Sequence, residues 1–591
     1  MAAAPDAAAA VRRRPPPLAT PAHGRGPAPP RRCGLRLPRG FAPALFVVAV
    51  VGLLAVLPIG RLAVVALAPG GELDLSAFAA RLVRPAALRA MAHTFETALG
   101  GAAGALLIGG PFAVAVAMTD LPGRRALGFL LLLPLMIAPQ VTALAWLGLF
   151  GPSSALLGVV GLAPPPGTPN PLTGRGGIVL LYAVQHAPIV FITLRAGLAG
   201  VPRDQVEAAR AAGAGPLAAL ATVALPLVRP YLVAAAALAF VSGVGNFGIP
   251  ALLGIPVGYL TLTTLIYQRL ASYGPGVLPE VAALSVLVAA VAVVGLGLQA
   301  VALRNAGHRF AAATPARLAL GRLRLPLAAL GWLAIAAILV LPALALLATA
   351  LVPAFGVPLT AATATLDNFA EVLARQASTT RAFANSLMLA GGAALILALV
   401  TIPLGWSLAR VPRRLQRLAQ GAVELTYAVP GVVLAIACIL LFLRPRPLIG
   451  SLYATAAIIL VAYLMRFLTL ALKPVTTAIG QIPRDLDEAA AVAGARPLRR
   501  LATITAPIAA PAAVAGALLV FMSAFNELTV SALLWSSGHE TLGVVLFSLE
   551  EAGLGAEAAA IAVVTIAVVL AVLAVVDRLG RRLPAGVLPW R

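Results

Sequence analysis

Apolar residues in this chain come in runs of about twenty, the length an α-helix needs to cross the hydrocarbon core of a bilayer. Such runs, bounded by arginine, Gly/Pro or polar clusters, fall near residues 41–68, 93–118, 127–150, 177–199, 231–253 and 281–303. A second set falls near 326–352, 385–409, 421–443, 451–472, 512–535 and 556–577. A backbone in lipid must satisfy its own hydrogen bonds, so each run has to be helical. Composition excludes the alternative of a buried soluble core: 61% of the 591 residues are hydrophobic and only 11% charged, against about 25% charged in an ordinary soluble domain. The pattern predicts an all-α polytopic membrane protein with about twelve transmembrane helices. Pro111, Pro134, Pro139, Pro188, Pro403 and Pro430 lie inside predicted spans, where packed membrane helices tolerate them.

The formal charge of +23 comes almost entirely from arginine, since Lys473 is the sole lysine. The arginines sit in gaps between apolar runs and in a tail, the distribution of a topology signal rather than of a nucleic-acid surface. Anionic lipid headgroups are secondary partners. Residues 1–40, rich in Arg, Pro and Ala, are expected to form a disordered basic tail on the cytoplasmic side, followed by an uncleaved first span. Loops holding Arg124/Arg125, Arg203/Arg210, Arg304/Arg309/Arg317/Arg322/Arg324, Arg410/Arg413/Arg414/Arg417 and Arg484/Arg496/Arg499/Arg500 are then all cytoplasmic. Both termini face the cytoplasm in this reading, and residues 581–591 form a second tail. Cys33 and Cys438 cannot make a disulfide framework, and no two of the five histidines have metal-ligand spacing.

Sliding the chain against itself by 281 residues reveals an internal repeat. Residues 201–230 and 482–511 agree at sixteen of thirty positions, sharing Pro-Arg-Asp, Glu-Ala-Ala, Ala-Gly-Ala, Pro-Leu and Leu-Ala-Thr. The register continues through Tyr182 and Tyr463, Phe240 and Phe521, and Ala251-Leu252-Leu253 and Ala532-Leu533-Leu534. The chain therefore divides into a first unit at 41–310, a linker at 311–325 and a second unit at 326–580. An even number of spans in each makes the two six-helix halves parallel. Each copy of the repeated loop reads as a short helix, a break at Gly213 or Gly494, and a second short helix after Pro216 or Pro497.

Glu-Ala-Ala, then three residues, then Gly, with Leu and Pro downstream, resembles the EAA loop of binding-protein-dependent ABC importer permeases. The resemblance covers the whole chain as two fused permease units. The run from Asn246 to Gly254, the run from Leu262 to Tyr267, and the run from Glu527 to Leu534 are similar to the iron(III)-type permeases, a group that also resembles the thiamine permeases. It implies that Glu207, Ala208, Ala209 and Gly213 contact one copy of a separate cytoplasmic ATPase, and Glu488, Ala489, Ala490 and Gly494 a second copy. It also implies an extracytoplasmic substrate-binding protein, a bacterial inner-membrane location, and ATP with magnesium held by the partner. The residues agree independently that ATP is bound elsewhere: a phosphate-binding loop needs Gly-x-x-x-x-Gly-Lys-Ser/Thr, and Lys473 is followed by Pro474. The expected mechanism is rocking of two rigid halves, driven by differential contact of the loops with the ATPase in its two states.

Polar residues inside apolar spans face a cavity or a partner. Gln140, Thr142, Gln185, Asn246, Glu424, Arg466, Asn526 and Glu527 are accordingly candidates for the translocation path, with ordinary interhelical hydrogen bonding as the equal alternative. Gln185 matches Arg466, and Asn246 matches Glu527, across the repeat. Ferric iron is the expected solute, with thiamine, phosphonate, polyamine and oxyanions open. A twelve-span secondary transporter and a membrane glycosyltransferase using Glu72 and Asp74 are the rival classes. Neither accounts for the duplicated loop.

Overall fold

The computed structural model describes residues 41–580 except 153, 273, 275, 305–317 and 446–449. The expectations for the 1–40 tail, for residues 311–317 of the linker and for the 581–591 tail lie outside the described residues. Among those described, the regular structure is all helical, apart from one isolated bridge between Thr119 and Leu318. Eleven helices are long and apolar enough to cross a membrane, and two bent helix pairs pass the same test jointly.

The first half opens with α1 (Ala42–Leu67), α2 (Pro85–Met118), the shorter α3 (Arg124–Met136) and α4 (Pro139–Phe150), and α5 (Arg175–Ala199). They are followed by α6 (Arg203–Ala211), α7 (Pro216–Gly245), the bent pair α8 (Gly248–Val257) and α9 (Leu262–Leu270), and α10 (Val277–Arg304). The second half repeats the order with α11 (Gly321–Ala350), α12 (Ala377–Leu408), the bent pair α13 (Arg413–Ala428) and α14 (Gly431–Phe442), and α15 (Ala456–Gly480). It ends with α16 (Arg484–Val492), α17 (Pro497–Phe525), α18 (Ser531–Leu534), α19 (Leu542–Glu551) and α20 (Gly555–Val575).

Two sets of expected spans differ from those observed. The runs at 127–150 and 421–443 are broken, at Ile137-Ala138-Pro139 and at Val429-Pro430, where proline forces the preceding residue out of the helical region. Between α13 and α14 the axis turns by 107°. The runs at 231–253 and 512–535 end early, at Gly245 and Phe525, because Asn246 leaves the helix with extended backbone and Asn526 leaves it at φ −106°, ψ 15°. Their apolar continuations become α8 and α18, separate short helices. The same two spans begin early instead. Each helix expected to be short after Pro216 or Pro497 runs without interruption into the span.

That continuity passes through one wide turn in each half. The Leu225 N–H donates to the Leu220 carbonyl and the Ala506 N–H to the Leu501 carbonyl, five residues back. Pro226 and Pro507 follow directly, and a proline ring clashes with the carbonyl four residues before it. Widening the turn removes the clash while keeping the helix intact. Leu57 before Pro58 and Leu341 before Pro342 do the same in α1 and α11.

Within the first half, α2, α5, α7 and α10 pack on one another, Gly101, Gly104 and Gly109 letting α2 approach Tyr182, Ala183 and Ala187 of α5, as small residues do in lipid. The first helix of each half is exchanged. Helix α1 lies between its own α10 and the second half's α12, α13 and α14, while α11 lies between its own α20 and the first half's α3 and α4. Ring contacts of Phe547 with Phe247 (5.9 Å) and Tyr267 (6.0 Å) join the halves further in. The outer ends are capped alike: the Leu262 N–H donates to Thr94 Oγ1 at 2.8 Å and the Leu542 N–H to Ser386 Oγ at 2.9 Å.

Candidate functional site

The duplicated loops form two matching projections at one end of the bundle. In each, the Gly adopts a left-handed conformation, φ 92° at Gly213 and 79° at Gly494. The Ala214 N–H donates to the Ala209 carbonyl and the Gly213 N–H to that of Arg210, both at 3.0 Å. The Ala495 and Gly494 N–H groups repeat this with Ala490 and Ala491, at 2.9 and 3.0 Å. This is the Schellman arrangement, in which a left-handed glycine closes a helix by satisfying its last carbonyls. The spacing from Glu-Ala-Ala to Gly is thus the spacing of a helix terminus. Glu207, Ala208, Gly213, Glu488, Ala489 and Gly494 are exposed, and Ala209 and Ala490 are half-buried. Glu207 pairs with Arg203 one turn back at 2.5 Å, which holds that guanidinium above its usual range. Leu217 and Leu498 are 75% and 76% exposed and Val492 90%, so each projection presents bare apolar side chains beside its acid.

The two projections are anchored by different chemistry. Val206 of α6 is buried in an apolar cluster with Met118 and Ala219. At the positions matching Val206 and Ala219 the second half carries Asp487 and Arg500, with Arg410 beside them. Asp487 Oδ2 accepts from Arg410 Nη2 at 2.9 Å and from Arg500 Nη1 at 3.0 Å, and the Arg410 guanidinium lies 3.8 Å over the Trp406 ring. Burial pulls the Arg410 pKa down from its usual value, with the Asp487 charge opposing the shift. Sequence reasoning missed this triad. The signal was present in Asp487, a charge where the repeat has valine.

The path candidates separate into three groups. In the first half the amide of Gln185 bridges the break between α3 and α4: Nε2 donates to the Pro134 and Ile137 carbonyls at 2.7 and 3.2 Å, and Oε1 accepts from Thr142 at 3.1 Å. Asn246 starts α8 by accepting from the Ile249 N–H at 3.1 Å. At the seam between halves, Gln140 Nε2 donates to the Asn526 carbonyl at 3.0 Å. Asn526 Nδ2 and Thr565 Oγ1 lack partners, and both residues line a cavity of about 10 Å³, the size of one water. In the second half Glu527 accepts from the Val530 and Ser531 N–H groups and lies 3.9 Å from Arg466. Glu424 stands apart from these: it is exposed and paired with Lys473 at 3.3 Å. His186, its ring tilted against Tyr182 with centroids 5.3 Å apart, belongs to packing, and the described residues contain no cluster of three or more His, Cys, Asp or Glu suited to a metal.

The chain is a duplicated helical membrane protein with exchanged first helices and two like projections at one end. Residues 109–306 and 401–588 each match the family model described as binding-protein-dependent transport system inner membrane component. Together they cover more than half of the chain, which belongs to that family and is a permease subunit of an ABC importer. It is 27% identical over 79% of its length, and 83% of the relative's, to a probable ABC transporter permease protein, y4fN, of Sinorhizobium fredii. It is 28% identical over 28% of its length, and 32% of the relative's, to the Fe(3+)-transport system permease protein FbpB 2 of Haemophilus influenzae. A putative 2-aminoethylphosphonate transport system permease protein, PhnV, of Salmonella typhi is 28% identical over 26% of this chain and 58% of its own. Among solved structures, a bacterial ABC transporter that imports alginate aligns over 44% of this chain and 96% of its own, with 19% identity and a TM-score of 0.36.

Proposed function

We propose that the chain couples ATP hydrolysis on a separate subunit to import of a solute across a bacterial inner membrane, with both termini in the cytoplasm. Two ATPase copies, each holding ATP and magnesium, dock on the two projections. An extracytoplasmic binding protein delivers the solute to the opposite end. The observation that carries this reading is the pair of exposed, identically capped helices, Arg203–Ala211 and Arg484–Val492, each followed by a continuous helical span. A load applied at Glu207, Ala208, Ala209 and Gly213, or at Glu488, Ala489, Ala490 and Gly494, passes directly into α7 or α17. Closing the ATPase pair then rocks the halves across their seam, where Gln140 meets Asn526. Gln140, Gln185, Asn246, Arg466, Asn526 and Glu527 lie near the helix breaks that border the path; Glu424 borders it nearer the loop end.

The test is charge reversal. Glu207→Lys and Glu488→Lys place a cation where the partner meets an anion, and like charges at an interface cost several kcal/mol. Each variant is expected to lose at least roughly tenfold in ATPase co-purification. Unchanged co-purification and transport in both would refute the assignment.

For the solute, ferric iron is the first reading, supported by the relative named for Fe(3+) transport. An organophosphonate is the second, supported by relatives named for 2-aminoethylphosphonate that cover similar shares of the chain and by the cationic Arg466 beside the seam. Uptake of labelled ferric iron and of labelled 2-aminoethylphosphonate by cells carrying the whole importer distinguishes them.

A further inference from the structure

Arg466 sits in α15 roughly 15 Å from its start at Ala456, a depth near the middle of a bilayer. The first half shows what this joint needs for folding alone. There the matching Gln185 has its amide nitrogen and oxygen both engaged at the helix break, and no charge is involved. The second half replaces that neutral bridge with a guanidinium.

The replacement is incompletely satisfied. Arg466 Nη1 is shielded from water and has no hydrogen-bond acceptor. It lies against the first turn of α14, where a Cβ at Gly431 would be 2.6 Å from it. The nearby acid does not fill the need. Glu527 Oε1 is 3.9 Å from Arg466 Nε, and its carboxylate already accepts from the Val530 N–H at 3.0 and 2.9 Å, from the Ser531 N–H at 3.3 Å and from the Thr529 hydroxyl. The guanidinium fork therefore retains donors, and its side chain remains 22% exposed. A charged group at this depth marks a ligand pathway. A planar fork of N–H donors matches the oxygens of a phosphonate or phosphate better than a metal cation, which it repels.

We infer that Arg466 is the anion-recognising residue of the translocation path, the group that meets a tetrahedral oxyanion as it crosses the middle of the membrane. Glu527 is a positioning residue: it fixes the 526–531 turn through backbone contacts and keeps the guanidinium beside it without consuming its donors. The inference rests on the importer reading and, for the solute, selects the organophosphonate over ferric iron.

The experiment uses the whole transporter, co-purified with its ATPase in lipid nanodiscs. Phenylglyoxal, which modifies guanidinium groups, is applied with methylphosphonate or with sodium chloride of equal ionic strength, and modification at Arg466 is read by peptide mass mapping. At methylphosphonate about ten times its dissociation constant, modification of Arg466 falls roughly tenfold, while that of exposed Arg203 stays constant. Arg466→Gln, which restores the first half's residue, retains the ATPase and removes the protected peptide. Equal modification of Arg466 with and without methylphosphonate overturns the inference, as does its complete resistance to the reagent in both. Absence of the ATPase from the wild-type preparation instead refutes the importer reading, so the two failures are distinct.

Discussion

Replacing Asp487 by Asn removes the charge that holds the second projection to the bundle and leaves two guanidinium groups facing a neutral amide. Asp487 takes two charge-assisted hydrogen bonds at 2.9 and 3.0 Å, with 31% of its side chain exposed against 26% for Arg410 and 17% for Arg500. Such bonds are worth about 1.5–3 kcal/mol when buried and about 0.2–1 kcal/mol at a surface. With this partial exposure the triad contributes about 1–2 kcal/mol in all. Hydrogen exchange followed by mass spectrometry reads that quantity locally, because amide exchange reports the free energy of local opening. In Asp487→Asn the amides of 484–495 are expected to exchange roughly 5–30 times faster, while those of 203–214 keep their rates. The difference should shrink in 1 M salt, where the Debye length is about 3 Å. Equal exchange in wild type and variant, or an equal acceleration in both projections, would refute the account of separate anchoring.

Two further substitutions probe the backbone. Gly213→Ala and Gly494→Ala force an L side chain into the left-handed region at a cost of about 1–2 kcal/mol; each should fray its own helix end and weaken ATPase co-purification, with transporter yield unchanged. Gly431→Ala drives a Cβ into Thr529 and Arg466 Nη1; such overpacking costs about 1–3 kcal/mol, read as a lower melting temperature in detergent that Thr529→Ala added in the same chain partly restores.

Much of this arrangement was legible from the chain alone, and the parts that were not share a cause. The long helices could be read because twenty successive apolar residues admit one solution in lipid. Hydropathy is blind to a break between two apolar segments, so 127–150 and 421–443 read as whole, and the apolar stretch after Asn246 was merged with α7. The loop motif could be read as a helix closed by glycine, since the Schellman cap spans only six residues. The Arg410–Asp487 pair spans 77 positions, and no local pattern points from one to the other.

Among the path candidates, residue type announced polarity but not role. Gln185, Asn246 and Glu527 proved to be engaged with backbone at helix breaks, and Glu424 to be an exposed partner of Lys473. Arg466 and Asn526 differ in keeping unpartnered nitrogen atoms, which the sequence could not distinguish from the rest. Pairing depends on which faces of distant helices meet.

By itself the sequence determined the solvent, the helical class, the duplication and the two repeated loops. Each follows from local causes: the length of an apolar run, the conformation a glycine permits, the agreement of one segment with another. Tertiary structure alone decided that α1 and α11 exchange halves, that one projection is anchored by valine and the other by an ion triad, and that Arg466 keeps free donors beside a satisfied acid. Those outcomes are set by packing between surfaces far apart in the chain, where the energy of a side chain depends on neighbours that sequence order does not name.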